Sequence, residues 1–162
     1  MIGGNVYDEG FHSTKLPSRE LFIRWLQLTA FLPSMQYSIS PWQYDEDVVD
    51  IALRWTSFHE NVITPILLRI IREEIVTEGK PLNRPVWWIA PEDPIALVID
   101  SEFLVGDEML VAPIVTEGAL SRDVYLPEGA WYDHLHGETV QGGQWLYDVG
   151  VPLDETLYYT RQ

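Results

Sequence analysis

The stretch VIDSEFLVGDEMLVAP sets the acids Asp100, Asp107 and Glu108 close together. Two carboxylates facing each other are the groups that cleave an acetal. One attacks or activates water while the other protonates the leaving oxygen, and in the retaining case they stand about 5 Å apart. The same residues also suit a Gly-Asp turn that leads into an apolar strand, where the Asp side chain bonds nearby backbone. Spacing alone leaves both readings open.

Histidine is the next candidate, at His12, His59, His134 and His136. The tripeptide HLH reads as two alternating side chains on one strand face, and a metal would need further ligands that the neighbouring sequence does not supply. No metal and no cofactor is expected. The chain also holds 7 Trp and 8 Tyr, flat apolar faces of the kind that stack on sugar rings, although any one of them is first a candidate for the core. Trp25 and Trp55 fall on apolar helical faces, and Trp87 and Trp88 enter an apparent strand, so these four are expected to pack.

The elements that must position such groups follow from periodicity. MIGGN reads as a short strand ending in two glycines, where the backbone can turn sharply or approach a ligand. Ser18 caps a helix over residues 18–31, with Leu21, Phe22, Trp25, Leu28 and Phe31 at helical spacing. Pro33 closes it, and Met35, Tyr37 and Ile39 alternate with Gln36 and Ser38 as in a second strand. Asp45 caps a further helix over about 46–78, with Val48, Ile51, Ala52, Trp55, Phe58 and Val62 on one side. Pro65 is expected to kink or split it, and Gly79 with Pro81 to end it. Beyond residue 80 the runs PVWWI, EMLVAPIV, RDVYLP, QWLYDVG and TLYYT alternate with turn residues, as in an antiparallel β-sandwich.

Strand, helix, strand, helix and then a run of strands suggests the C-terminal portion of a TIM (β/α)8 barrel over residues 1–80, followed by a β-sandwich domain over 81–162. The charge divides in the same way. Residues 1–80 carry 7 basic and 11 acidic side chains, residues 81–162 carry 3 and 14, and the whole chain has net charge −15. That balance argues against nucleic acid and anionic membranes as partners. With no Cys, the redox compartment is not legible, and no stretch is long and apolar enough to span a bilayer.

In order along the chain, IGGN, ELFIRWLQLTAFLPSMQ, VITPILLRII, GKPLNRPVWW and FLVGDEMLVAPIVTEGALSRDVYLPEGAWYD resemble the C-terminal part of glycoside hydrolase family 31. The resemblance implies the last two barrel strands with their helices, then the proximal β domain of a retaining α-glycosidase. It places both catalytic Asp residues on earlier barrel strands, so no catalytic residue is assigned in this chain. An upstream barrel segment is expected, and the chain alone is expected to be inactive.

By the same resemblance, Asn5 stands where many members carry an aromatic after the paired glycines. Gln36 and Ser38 stand where many carry an Arg and then a sugar-binding His. Asn5, Gln36 and Ser38 are thereby candidates to line a sugar subsite, with Asn5 equally suited to a simple turn. Trp42 is a candidate to stack on a sugar or to cap the barrel. IGGN, MQYSISPWQYD and RPVWWIAPEDP are similar to one branch of the family, for which α-galactoside substrates and a secretory-pathway membrane anchor are expected. The competing reading is a non-catalytic glycan-binding or regulatory protein derived from the same fold.

Overall fold

The computed structural model describes residues 1–4 and 16–162, which form two compact units, residues 1–65 and 66–162. In the first unit, helix α1 (Arg19–Thr29) begins where expected: the Ser18 hydroxyl accepts from the Leu21 amide at 3.2 Å. Its buried face differs from the sequence reading. Phe22, Ile23 and Leu26 are covered, as is Phe31 just beyond the helix, whereas Leu21 and Trp25 are 52% and 44% exposed. Leu21 and Trp25 are one turn apart, on a stripe that the core-facing residues do not share.

Helix α2 (Glu46–Phe58) is capped by Asp45, whose carboxylate accepts from the Val48 amide at 2.9 Å and pairs with Arg19 at 2.7 Å. Acids at Glu46 and Asp47 then complement the positive end of the helix dipole. Between α1 and α2 sits an aromatic core. The Phe31 ring lies 6.0 Å from Trp55 and 5.4 Å from Phe58, edge-on to the latter. Complete burial of Phe31 is worth about 2–3 kcal/mol. Phe22 packs on Tyr44 at 4.7 Å, and the Tyr44 hydroxyl donates to the Pro17 carbonyl.

Near Pro65 the regular α-helix is interrupted, although the chain stays helical. The turn before it widens to π geometry over His59–Ile63, and the Thr64 hydroxyl donates back to the His59 carbonyl at 2.9 Å. An extra residue in the turn is a known way for a helix to absorb a missing donor and a bulky ring. The helical run continues through α3 (Thr64–Ile70), a second wide turn (Ile71–Ile75) and α4 (Val76–Glu78). It ends at Gly79, which takes the left-handed conformation at φ 70°.

The two short strands read in MIGGN and over residues 35–39 reduce, among the described residues, to one parallel bridge between Ile2 and Tyr37. Gly3 and Gly4, at φ 97° and 69°, leave extended geometry immediately after Ile2, so pairing stops there.

The second unit holds two antiparallel sheets. The larger is ordered β1 (Asn83–Arg84), β2 (Phe103–Val105), β3 (Met109–Ala112), β8 (Leu157–Arg161), β5 (Ala130–Asp133), β6 (Glu138–Gln141). The smaller pairs β4 (Ser121–Leu126) with β7 (Gln144–Gly150). Leu104, Leu110, Trp131 and Tyr159 from the first sheet share one core with Val124 and Leu126 from the second.

Two strand readings need correction. PVWWI forms a 3-10 turn over Val86–Trp88, closed by the Trp88 amide donating to the Pro85 carbonyl. Trp87 there is 40% exposed, and Trp88 lies 5.5 Å below the Arg84 guanidinium. HLH sits in the turn between β5 and β6, because buried Asp133 accepts from the Leu135 and His136 amides and bends the chain there. The Asp133 carboxylate also meets His136 Nδ1 at 2.9 Å, and His134 Nε2 meets the Thr160 hydroxyl. Both imidazoles are thus tied into the local fold.

Candidate functional site

The Ile2–Tyr37 bridge brings two of the four candidates to the glycine pair. The Ile2 amide donates to the Gln36 carbonyl at 2.7 Å, and the Ser38 amide donates to the Ile2 carbonyl at 2.9 Å. Side chains alternate along an extended segment. Tyr37 is turned toward α2, where its hydroxyl meets that of Thr56 at 2.8 Å, and burial raises its phenol above the usual range. Gln36 and Ser38 therefore share the opposite face, and both are exposed.

The Ser38 hydroxyl lies 2.8 Å from the Ile2 carbonyl and 2.7 Å from that of Gly4. With one proton for two acceptors, it spends that proton on the backbone and keeps only lone pairs for a ligand. Gln36 retains an exposed amide that can both donate and accept. Trp42 lies in a 3-10 turn over Pro41–Gln43 and leaves 75% of its surface to solvent, a flat apolar face available for stacking. Asn5 lies outside the described residues.

Asp107 and Glu108 are held by two different arginines. Asp107 is bound by Nη1 of Arg84, whose Nη2 meets Glu74 at 2.6 Å and whose Nε donates to the Pro81 carbonyl at 2.8 Å. Glu108 is bound by Arg69 at 2.7 Å. The Arg84 side chain is wholly buried, so this network fastens the β2–β3 turn to the end of the helical run by replacing water around a covered cation. Asp100 is exposed on the segment leading to β2.

A polar group that the sequence does not single out lies under the smaller sheet. Glu102 is buried, with Oε1 accepting from the Tyr125 amide at 2.9 Å and from Arg122 Nη2 at 3.2 Å. Its Oε2 has no hydrogen-bond partner among the described residues. Burial pushes the carboxyl up from 4.5 to about 7. Arg122 also lines a cavity of about 160 Å³ with Ser101, Ile114, Thr116 and Asp123. Its five N–H groups are all engaged: by the Asp123, Ser101 and Pro113 carbonyls, the Ser101 hydroxyl and Glu102. The cavity therefore offers no free guanidinium donor to an anion. Nearby, burial and then the bond to Asp93 push the Tyr125 phenol up to about 12. Nothing in the local pattern SEF separates a buried Glu102 from the solvated acids around it.

The second unit is β-rich, an exposed polar face lies beside the paired glycines, and Asp107 and Glu108 are held in ion pairs. The family model for the Glycosyl hydrolase family 31 C-terminal domain matches residues 79–162, and the chain belongs to glycoside hydrolase family 31.

It is 45% identical over 163 residues to the myogenesis-regulating glycosidase of Mus musculus, in line with the branch resemblance, in a match that covers 99% of this chain. It is 38% identical over 165 residues to the SITS-binding protein of Tetronarce californica, across 100% of this chain. In both cases the match spans 23% of the relative's length. Among solved structures, a cycloalternan-degrading enzyme from Trueperella pyogenes superposes with a TM-score of 0.82 at 27% identity, over 93% of this chain and 23% of that one. A family 31 α-xylosidase from a soil metagenome, complexed with xylose, superposes at 0.77 and 29% identity, over 88% and 25%. Among the described residues, no helix is long and apolar enough to cross a membrane.

Proposed function

We propose that this chain is the C-terminal part of a retaining α-glycosidase. Residues 1–80 would supply the last two strand–helix units of a (β/α)8 barrel, and residues 81–162 the β-sandwich that follows it. The observation that carries this reading is the parallel bridge at Ile2–Tyr37. It stands beside a glycine pair, and helices α1 and α2 follow the two bridged segments in chain order. Ligand-binding residues of such barrels stand at the C-terminal ends of strands. Asn5, Gln36, Ser38 and Trp42 would then line the rim of a sugar subsite. With Gln36 and Ser38 uncharged, that rim recognises hydroxyls through neutral donors and acceptors, which suits a neutral pyranoside. α-Galactosides are the proposed substrates.

The chemistry of such an enzyme is double displacement by two carboxyl groups, and this chain contributes neither. Asp107 and Glu108 are occupied by Arg84 and Arg69, and their exchange for amides leaves the proposed chemistry intact. The experiment is turnover of 4-nitrophenyl α-galactopyranoside and α-glucopyranoside by the glycosidase polypeptide that carries this chain, with the anomer first released read by proton NMR. Faster α-galactoside cleavage with release of the α-anomer supports the reading. Release of the β-anomer, or no turnover of either substrate, overturns it.

A second reading, a non-catalytic glycan-binding or regulatory protein on the same fold, draws on the 38% identity to a relative named for binding. It predicts saturable sugar binding with no turnover in the longest polypeptide containing the chain.

A further inference from the structure

The Ser38 hydroxyl is placed between two backbone carbonyls that flank a single glycine. Ile2 O lies at 2.8 Å and Gly4 O at 2.7 Å, and Ile2 O also receives the Ser38 amide at 2.9 Å. The glycine between them is Gly3, at φ 97°. A Cβ on Gly3 would fall 2.9 Å from Ile39 Cβ and 3.0 Å from Ser38 Oγ. The segment at Gly3 therefore crosses directly over residues 38 and 39, and the close crossing depends on Gly3 having no side chain. Gly4 follows at φ 69°, and no atom of the described residues lies within 4 Å of a Cβ position there. Two successive glycines carry the largest backbone entropy of any dipeptide. Packing holds the first, while the Gly4 carbonyl is held by the Ser38 hydroxyl.

The geometry points to Ser38 as the positioning residue of this rim: its hydroxyl clips the Gly3–Gly4 turn to the neighbouring segment and so fixes the edge against which a sugar would rest. The inference rests on the sugar-rim reading given above, and it changes the role of Ser38 within that reading. The proton that would recognise a ligand oxygen is committed to the protein, so Ser38 acts through the backbone it holds. Gln36, exposed on the same face with no such commitment, keeps the direct polar contact.

The test uses Ser38→Ala and Ser38→Thr in the glycosidase polypeptide that carries this chain, assayed on 4-nitrophenyl α-galactopyranoside and its monodeoxy analogues. Amide exchange of Gly4 is followed by NMR in the 162-residue chain. One lost hydrogen bond corresponds to about a three- to tenfold effect. Ser38→Ala should raise KM by that factor while kcat changes less than about twofold, and should speed Gly4 exchange by a similar factor. Ser38→Thr, which keeps the hydroxyl, should restore both. The KM rise should be equal on every deoxy substrate.

Wild-type KM and wild-type Gly4 exchange in an active Ser38→Ala enzyme would overturn the inference. So would a Thr variant as impaired as the Ala variant, or a KM effect that vanishes on one deoxy substrate, which would make Ser38 a direct contact. If the wild-type polypeptide cleaves no α-glycoside, the glycosidase reading fails, and unchanged Gly4 exchange in Ser38→Ala separately rejects the clip.

Discussion

Replacing Glu102 by Gln perturbs the polar centre of the second unit with little change of shape. The carboxyl is covered, accepts from the Tyr125 amide and Arg122 through Oε1, and leaves Oε2 without a donor. Its folded-state value of about 7 lies above the ordinary 4.5 because burial penalises the charged form. Between those values the folded chain keeps a proton that the unfolded chain has released, so rising pH favours unfolding. The contribution of Glu102 is thus whole below about pH 4.5 and is lost as pH rises to about 7. At about 1.4 kcal/mol per pH unit, that gap corresponds to about 3 kcal/mol. Gln keeps the Oε1 acceptor and has no proton to lose. Urea unfolding of the chain across this interval should show the wild-type free energy falling by about that amount. The Gln variant should be flatter, and the more stable of the two above neutrality. His134, held below its ordinary value by burial, gives a slope of opposite sign that is common to both proteins and cancels in the comparison. Equal slopes in the two proteins would refute the assignment of a buried, proton-retaining carboxyl.

Arg84→Met should lower unfolding stability by about 3 kcal/mol in urea titration, because Glu74 and Asp107 lose the buried cation they share. Asp107→Asn, at an acid 45% exposed, should cost less than about 1 kcal/mol. Gly142→Ala should be among the most damaging single methyl additions, since its Cβ would fall 1.9 Å from the Pro127 carbonyl oxygen. A loss of more than about 3 kcal/mol, read from the melting midpoint, is expected unless the β6–β7 connection moves. Trp42→Ala should leave the melting midpoint within about 2 °C, given the ring's 75% exposure. The same change should weaken galactose binding several-fold in the active polypeptide, as measured by calorimetry.

The caps were the most legible part of the fold. Ser18 and Asp45 each precede a periodic apolar run, and each accepts the amide that a cap should accept. Strands β4, β7 and β8 were equally clear, because alternation and bounding turn residues agree there. PVWWI misled because β-rich composition outweighed Pro85, which starts a tight turn. HLH misled because Asp133, the residue that bends the chain, reads as a strand residue until its backbone acceptors are seen.

Trp25 looked like core because helical spacing identifies a stripe without saying which stripe meets a neighbour. Among the candidates, Gln36 and Ser38 were brought to the glycine pair. The commitment of the Ser38 proton was invisible, because its acceptors lie 34 and 36 residues away. Distance along the chain likewise hides Glu102 and Arg122, which are 20 residues apart and joined only in the folded unit.

In the function proposed above, this chain is part of a glycosidase yet holds none of its catalytic carboxyls. The most direct measurement is release of nitrophenol from 4-nitrophenyl α-galactopyranoside and α-glucopyranoside by the purified 162-residue chain, beside its Asp107→Asn and Glu108→Gln variants. The account predicts no turnover above the uncatalysed rate in any of the three. Turnover by the wild-type chain that either amide substitution abolishes would contradict it.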